Sequence, residues 1–171
     1  MSFSERIVQW QPFFITVATL AGTLVGLLFI SLSLNREKIT SESNRVLFRL
    51  ARRSFTDFLN VVLISFFFLI PDQESGTLGI EMFVIGLLRI KRLFGQITSS
   101  SGEGRKPTLM DLVREYVFPV LSTGGLLVAG FRMYQGGDEA KYAIYFFVVP
   151  VIATLLFTAC SNAWLLLMER K

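Results

Sequence analysis

Asp57 and Asn60 stand three residues apart in an otherwise apolar run, and far along the chain Thr154, Thr158, Ser161 and Asn162 recur at helical spacing. One carboxylate among neutral amide and hydroxyl oxygens suits non-covalent chemistry, the holding of a proton or a small hard cation. Nucleophilic chemistry has no comparable support. The chain has no His, which removes Ser–His catalysis, His-containing zinc sites and His-ligated haem. Its single Cys160 can form neither a C-x-x-C centre nor an internal disulfide. No G-x-S-x-G and no Gly-rich phosphate loop occurs, and no paired-carboxylate signature is present. The expectation is a protein without catalytic activity, cofactor or metal centre.

The elements that must position these residues follow from where the apolar residues fall. Of 171 residues, 52% are hydrophobic and 18% charged, and the apolar ones come in long runs. The runs are Phe13 to Leu34, Ser54 to Ile70, Leu78 to Phe94, Val113 to Met133 and Tyr142 to Met168. About 20 apolar residues at about 1.5 Å rise cross the hydrocarbon core of a bilayer. Lipid satisfies no backbone polar group, so such runs are helices or strands of a closed barrel. Alternation with period two is missing, which leaves helices. The sequence therefore predicts an all-α membrane protein, one integral domain over residues 1–171 with about five transmembrane helices.

Seventeen Lys and Arg residues orient it. With five spans, fourteen fall on one side and only Arg6, Arg132 and Lys141 on the other. Cytoplasmic loops carry the excess, so the N-terminus is expected outside and the C-terminus in the cytoplasm. The third run is the short one, compressed by Glu81 and by Arg89, Lys91 and Arg92, and it could lie along the surface instead. Four spans would divide the cations nine to eight, so the count favours five. Cations beside membrane segments fit anionic lipid headgroups better than nucleic acid. The first run exceeds the length of a signal-peptide core and reads as a retained helix.

Orientation fixes depth. Asp57 and Asn60 on the second helix, Ser161 and Asn162 on the fifth, and Ser31, Ser33 and Asn35 on the first all fall in the inner leaflet. A charge in lipid costs about 2.5–3.5 kcal/mol on insertion scales, so Asp57 should face protein or water. Asp57 is expected to approach Asn162, and an ion pair with Arg53 is the local alternative. On the first helix Thr19, Gly22, Thr23 and Gly26 form a small-residue face for close packing, within the chain or between copies. Arg45, Arg49, Arg52 and Arg53 lead into the second helix and are candidate headgroup contacts.

Punctuation supplies the rest. Pro12 suits a helix entrance, residues 71–77 a turn, and residues 98–108 a linker. Thr108 or Asp111 could cap the fourth helix, whose Ser122-Thr123-Gly124-Gly125 centre reads as loosened. Residues 135–138 read as a turn, and Pro150 falls in the outer half of the fifth helix.

The segment from Ala21 to Asn35, with its Gly26-Leu27-Leu28-Phe29 core, is similar to the first helix of small uncharacterised bacterial polytopic inner-membrane proteins. The resemblance spans fifteen to twenty residues, implies an inner-membrane location, and brings no activity or site with it. Two functions follow as expectations. One is a structural or accessory membrane protein acting through helix packing and basic cytoplasmic loops, as a homo-oligomer or with another membrane protein. The other is an oligomeric channel or transporter for protons or small ions, built on the inner-leaflet polar cluster.

Overall fold

A computed structural model of the chain describes residues 3–34, 45–100 and 113–168, and these residues are helical apart from short turns. Helix α1 is Phe3–Leu34, α2 is Arg45–Leu69 and α3 is Ser75–Ser100. A π-helical turn, Val113–Val117, leads into α4, Phe118–Gln135. Helix α5, Gly137–Ala143, passes through a second π-helical turn, Ile144–Val148, into α6, Val149–Met168. Two helical segments, Glu5–Leu34 and Gly137–Leu166, are long and apolar enough to cross a membrane. Of the apolar window of the first only 22% is buried within the described residues.

The helices outrun the apolar runs. Pro12 lies inside α1 rather than at its entrance. It withholds a donor from the Val8 carbonyl, while its own carbonyl accepts a bond from Thr16 Oγ1 at 2.7 Å. Helix α3 continues to Ser100, so the expected linker begins later than Thr98. Residues 35–44 and 101–112 lie outside the described residues, and with them Asn35, Thr108 and Asp111. Both predicted turns are present but shorter than expected, because residues 75–77 and 137–138 are already helical. Residues 70–74 join α2 to α3, with Asp72 at φ 54°, and Gly136 alone separates α4 from α5. Gly136 takes φ 74°, a conformation costly for any side chain, and its N–H donates to the Met133 carbonyl.

Both π turns stand just before a proline, Pro119 and Pro150. Proline offers no N–H to the carbonyl four residues back. A widened turn adapts the ladder at that place: the Val149 N–H donates to Ile144, five residues earlier.

The chain divides into two compact units. The first comprises Met1–Trp10 and Ile70–Thr154. Its centre is an antiparallel pairing of α3 and α4, in which backbones touch. A β-carbon added at Gly79 would lie 2.6 Å from the Tyr134 nitrogen and 2.7 Å from the Gly130 oxygen. One added at Gly130 would meet the Gly79 oxygen at 2.7 Å, and one at Gly86 would meet the Leu127 side chain. Leu78, Met82, Leu126, Ala129 and Met133 are buried around these glycines. The α3 segment is therefore packed face to face with α4. Trp10 meets the ring of Tyr145 edge-on in the same unit.

The second unit comprises Gln11–Leu69 and Leu155–Lys171. Here Phe14 of α1 stacks on Phe68 of α2 with ring centroids 4.3 Å apart. Phe58, Val61 and Ile64 continue the buried stripe of α2, and Leu155, Ala159 and Leu166 that of α6.

Candidate functional site

Every third or fourth residue of α2 is buried, and three of the buried positions are polar: Ser54, Asp57 and Ser65. The facing stripe of α6 holds Thr158, Ala159 and Asn162. Spacing of three and four residues keeps such positions on one side of a helix, so both polar sets meet along one seam. Ser54 Oγ donates to the Ala159 carbonyl at 3.1 Å, and Thr158 Oγ1 lies 3.5 Å from Asp57 Oδ2. Rising numbers on α2 meet falling numbers on α6, so the helices run antiparallel at this seam.

Burial here is nearly complete. Asp57 is 7% exposed, Thr158 3% and Asn162 0%. The Thr158 hydroxyl also lies 3.0 Å from the Leu155 carbonyl, which is the better acceptor for its one proton. Asn162 keeps both Nδ2 and Oδ1 buried with no hydrogen-bond partner among the described residues. Such a group ordinarily costs about 1–3 kcal/mol per unmet bond. Asn60 Nδ2 and Ser65 Oγ of α2 are likewise buried and without hydrogen-bond partners among the described residues. On α6, Asn162 thus keeps unused donor and acceptor capacity one turn from Thr158, the neighbour of Asp57.

The other predicted residues are distributed as follows. Ser161 is half-buried, next to Asn162 but off the buried stripe. Ser31 is half-buried and Ser33 exposed, so the first helix lends the seam less than depth-matching implied. Arg49 and Arg52 are exposed and Arg53 is half-buried, while the Arg45 side chain lies outside the described ones. Thr19, Gly22, Thr23 and Gly26 are all exposed, and β-carbons added at Gly22 and Gly26 would meet nothing within 4 Å. That face takes no part in packing among the described residues. Its threonines bond back along α1, Thr19 to the Ile15 carbonyl and Thr23 to the Thr19 carbonyl, each at 2.8 Å.

A second polar site was missed by the sequence reading. Arg89, counted there as an ordinary inner-side cation, is 8% exposed and enclosed by α3 and α4. Its Nη2 donates to Ser122 Oγ at 3.1 Å and its Nε to Thr123 Oγ1 at 3.4 Å. Ser122 passes its own proton to the Pro119 carbonyl at 3.1 Å, which leaves its lone pairs for the guanidinium. The expected loosened centre of α4 is continuous helix, and its hydroxyls are ligands of a buried arginine. The signal available in the sequence was the position of Arg89, only three residues beyond the run's middle and three before Arg92.

Near the start of α3, Gln73 Nε2 donates to Glu81 Oε2 at 2.7 Å. The exposed Arg132 and Glu139 form an ion pair between α4 and α5. Exposed pairs of this kind contribute about 0–1 kcal/mol. No group of three or more His, Cys, Asp or Glu among the described residues could hold a metal ion. Compared with known protein families, with curated proteins and with solved structures, the chain matches none.

Proposed function

We propose that this chain is a multi-pass inner-membrane protein of about five spans, N-terminus outside and C-terminus cytoplasmic, with an accessory role. It pairs α1 with a transmembrane helix of a second copy or of another membrane protein, and holds its basic cytoplasmic loops against anionic headgroups. The observation that carries this reading is the outward Thr19-Gly22-Thr23-Gly26 face. It is small, internally hydrogen-bonded and unused in packing among the described residues. Further support comes from the large apolar side chains exposed on every long helix, among them Leu27, Phe29, Phe66, Leu88, Phe131 and Phe157. A surface of that kind is costly in water and ordinary in lipid.

Cross-linking tests the pairing. In a Cys160→Ser background, Gly22→Cys and Gly26→Cys should form disulfide- or maleimide-linked pairs in native membranes. Leu24→Cys, half-buried on the opposite side of α1, should not. Equal cross-linking at all three positions, or none at any, would remove the reading. The buried Asp57 and Asn162 favour a second reading, conduction of protons or small ions. Flux into proteoliposomes that changes with Asp57→Asn plus Asn60→Ala would replace the accessory role with it.

A further inference from the structure

We propose that the chain is a two-body hinge, whose two compact units turn as rigid bodies about Pro12, Pro71 and residues 150–154 of α6. This goes beyond the accessory role and does not depend on it.

The backbone passes from one unit to the other after Trp10, after Leu69 and after Thr154. Each passage lies between side chains anchored in different units. Trp10 meets Tyr145 in the first unit and Phe14 stacks on Phe68 in the second, with Pro12 midway between Trp10 and Phe14. That stack also holds Phe68, while Gln73 donates to Glu81 in the first unit, and Pro71 stands between Phe68 and Gln73. On α6, Val151 lies against Gly125 in the first unit, and the Ala159 carbonyl takes the Ser54 proton in the second. Pro150 directly precedes the first of these anchors, and Thr154 falls between the two.

A continuous α-helix would weld two bodies together, because the bond from each N–H to the carbonyl four residues back resists bending. The two helical passages lack that continuity. Pro12 has no N–H for the Val8 carbonyl and Pro150 none for the Phe146 carbonyl, and each ring crowds that carbonyl and opens the turn. Four residues on, Thr16 Oγ1 donates to the Pro12 carbonyl and Thr154 Oγ1 to the Pro150 carbonyl, each at 2.7 Å. A hydroxyl that shares this acceptor with the ladder N–H bends the next turn as well. Thr19 and Thr23 bond back in the same way, but onto carbonyls of residues other than proline, so on α1 the two effects coincide at residues 12–16 alone. The first weakened interval, residues 8–16, contains its passage, and the second, residues 146–154, ends at its own. The middle passage is a non-helical turn with Asp72 at φ 54°. Hinges are built in this way, a few residues absorbing the backbone change while packed bodies keep their interiors. Each buried polar site lies inside one body, Arg89 with Ser122 and Thr123 in the first and Asp57 with Thr158 in the second, so turning breaks neither. Pro119 is the contrast: it is a helical proline inside the first unit, in the pair where the α3 and α4 backbones touch, and no passage lies beside it.

Pulsed electron-spin distance measurements on the full chain in lipid nanodiscs decide the matter, with labels at exposed positions in a Cys160→Ser background. Leu88→Cys with Tyr142→Cys reports inside the first unit, and Phe29→Cys with Phe66→Cys inside the second. Leu88→Cys with Phe29→Cys, and Tyr142→Cys with Phe66→Cys, report from one unit to the other. The between-unit distance distributions should be about twofold broader than the within-unit ones, or two-peaked. Pro12→Ala combined with Pro150→Ala restores both missing N–H groups and should narrow them to the within-unit width. Pro119→Ala should leave them broad. Between-unit distributions as narrow as the within-unit ones in the otherwise unaltered chain overturn the proposal, whether or not the proline variants fold. Within-unit distributions as broad as the between-unit ones also overturn it, since the units would then not be rigid. Unchanged breadth in the double proline variant, or equal narrowing by Pro119→Ala, places the motion elsewhere and overturns it too.

Discussion

At the scale of single residues, both buried charges have hydroxyl neighbours. Thr158 Oγ1 lies 3.5 Å from the Asp57 carboxylate, and Arg89 is met by hydroxyls already oriented for it. Hydrogen bonds to charged groups are worth about 1.5–3 kcal/mol. Ser122→Ala should therefore lower the unfolding free energy by about that much, measured by denaturant titration in mixed micelles. Thr123→Val, losing a longer bond, should cost less, and the reverse ranking would contradict the geometry. Arg89→Lys should not restore the loss in full, because one ammonium cannot reproduce the planar fork that reaches two hydroxyls. Asp57 was legible in the sequence, because a lone acid in an apolar run must find a partner or a cavity. Arg89 was not, because it stands close enough to Lys91 and Arg92 to be grouped with them. Whether an arginine snorkels outward or turns inward depends on hydroxyls more than thirty residues away.

Glycine has opposite meanings on two helices. On α3 and α4, Gly79 and Gly130 let backbones touch; on α1, Gly22 and Gly26 face outward with open space. Gly130→Ala and Gly79→Ala should each destabilise the α3–α4 pair by about 1–3 kcal/mol, the usual cost of overpacking. Gly22→Ala should be neutral or stabilising by up to about 1 kcal/mol in the monomer, through helix propensity alone. Thermal unfolding of the four single variants, with Gly26→Ala, checks the contrast. Equal effects on both helices would mean that α1 packs as tightly as α3. The small-xxx-small rule found Gly22 and Gly26 because both lie one turn apart on one helix. Gly79 and Gly130 belong to different helices, so no spacing rule joins them. Turns at residues 71–74 and at Gly136 were readable from Pro, Gly and Asp. Helix ends were not, since α2 and α3 continue through polar residues whose backbone bonds need no apolar side chain.

For the whole molecule, charge placement remains the strongest guide. With Arg89 taken out as a buried group, the fourteen inner-side cations become thirteen, still set against three. Topology should follow that imbalance. In a Cys160→Ser background, an impermeant maleimide should label Ser75→Cys on intact cells and Gly102→Cys only after permeabilisation. The opposite pattern would invert every span. The all-helical architecture was legible from the apolar runs, while the division into two units was not, because two of its three cuts run through α1 and α6 rather than between helices. The widened turn at Ile144–Val148 has a consequence for how such a chain can change over generations. Losing one residue there would restore ordinary winding, but everything downstream would swivel by about 100°. Val151, whose side chain lies against Gly125, would swing away from it. Substitutions along this helix can be absorbed one at a time, but an insertion or deletion shifts a whole face at once. Lineages carrying this fold should therefore vary in the letters of residues 144–154 while keeping their number.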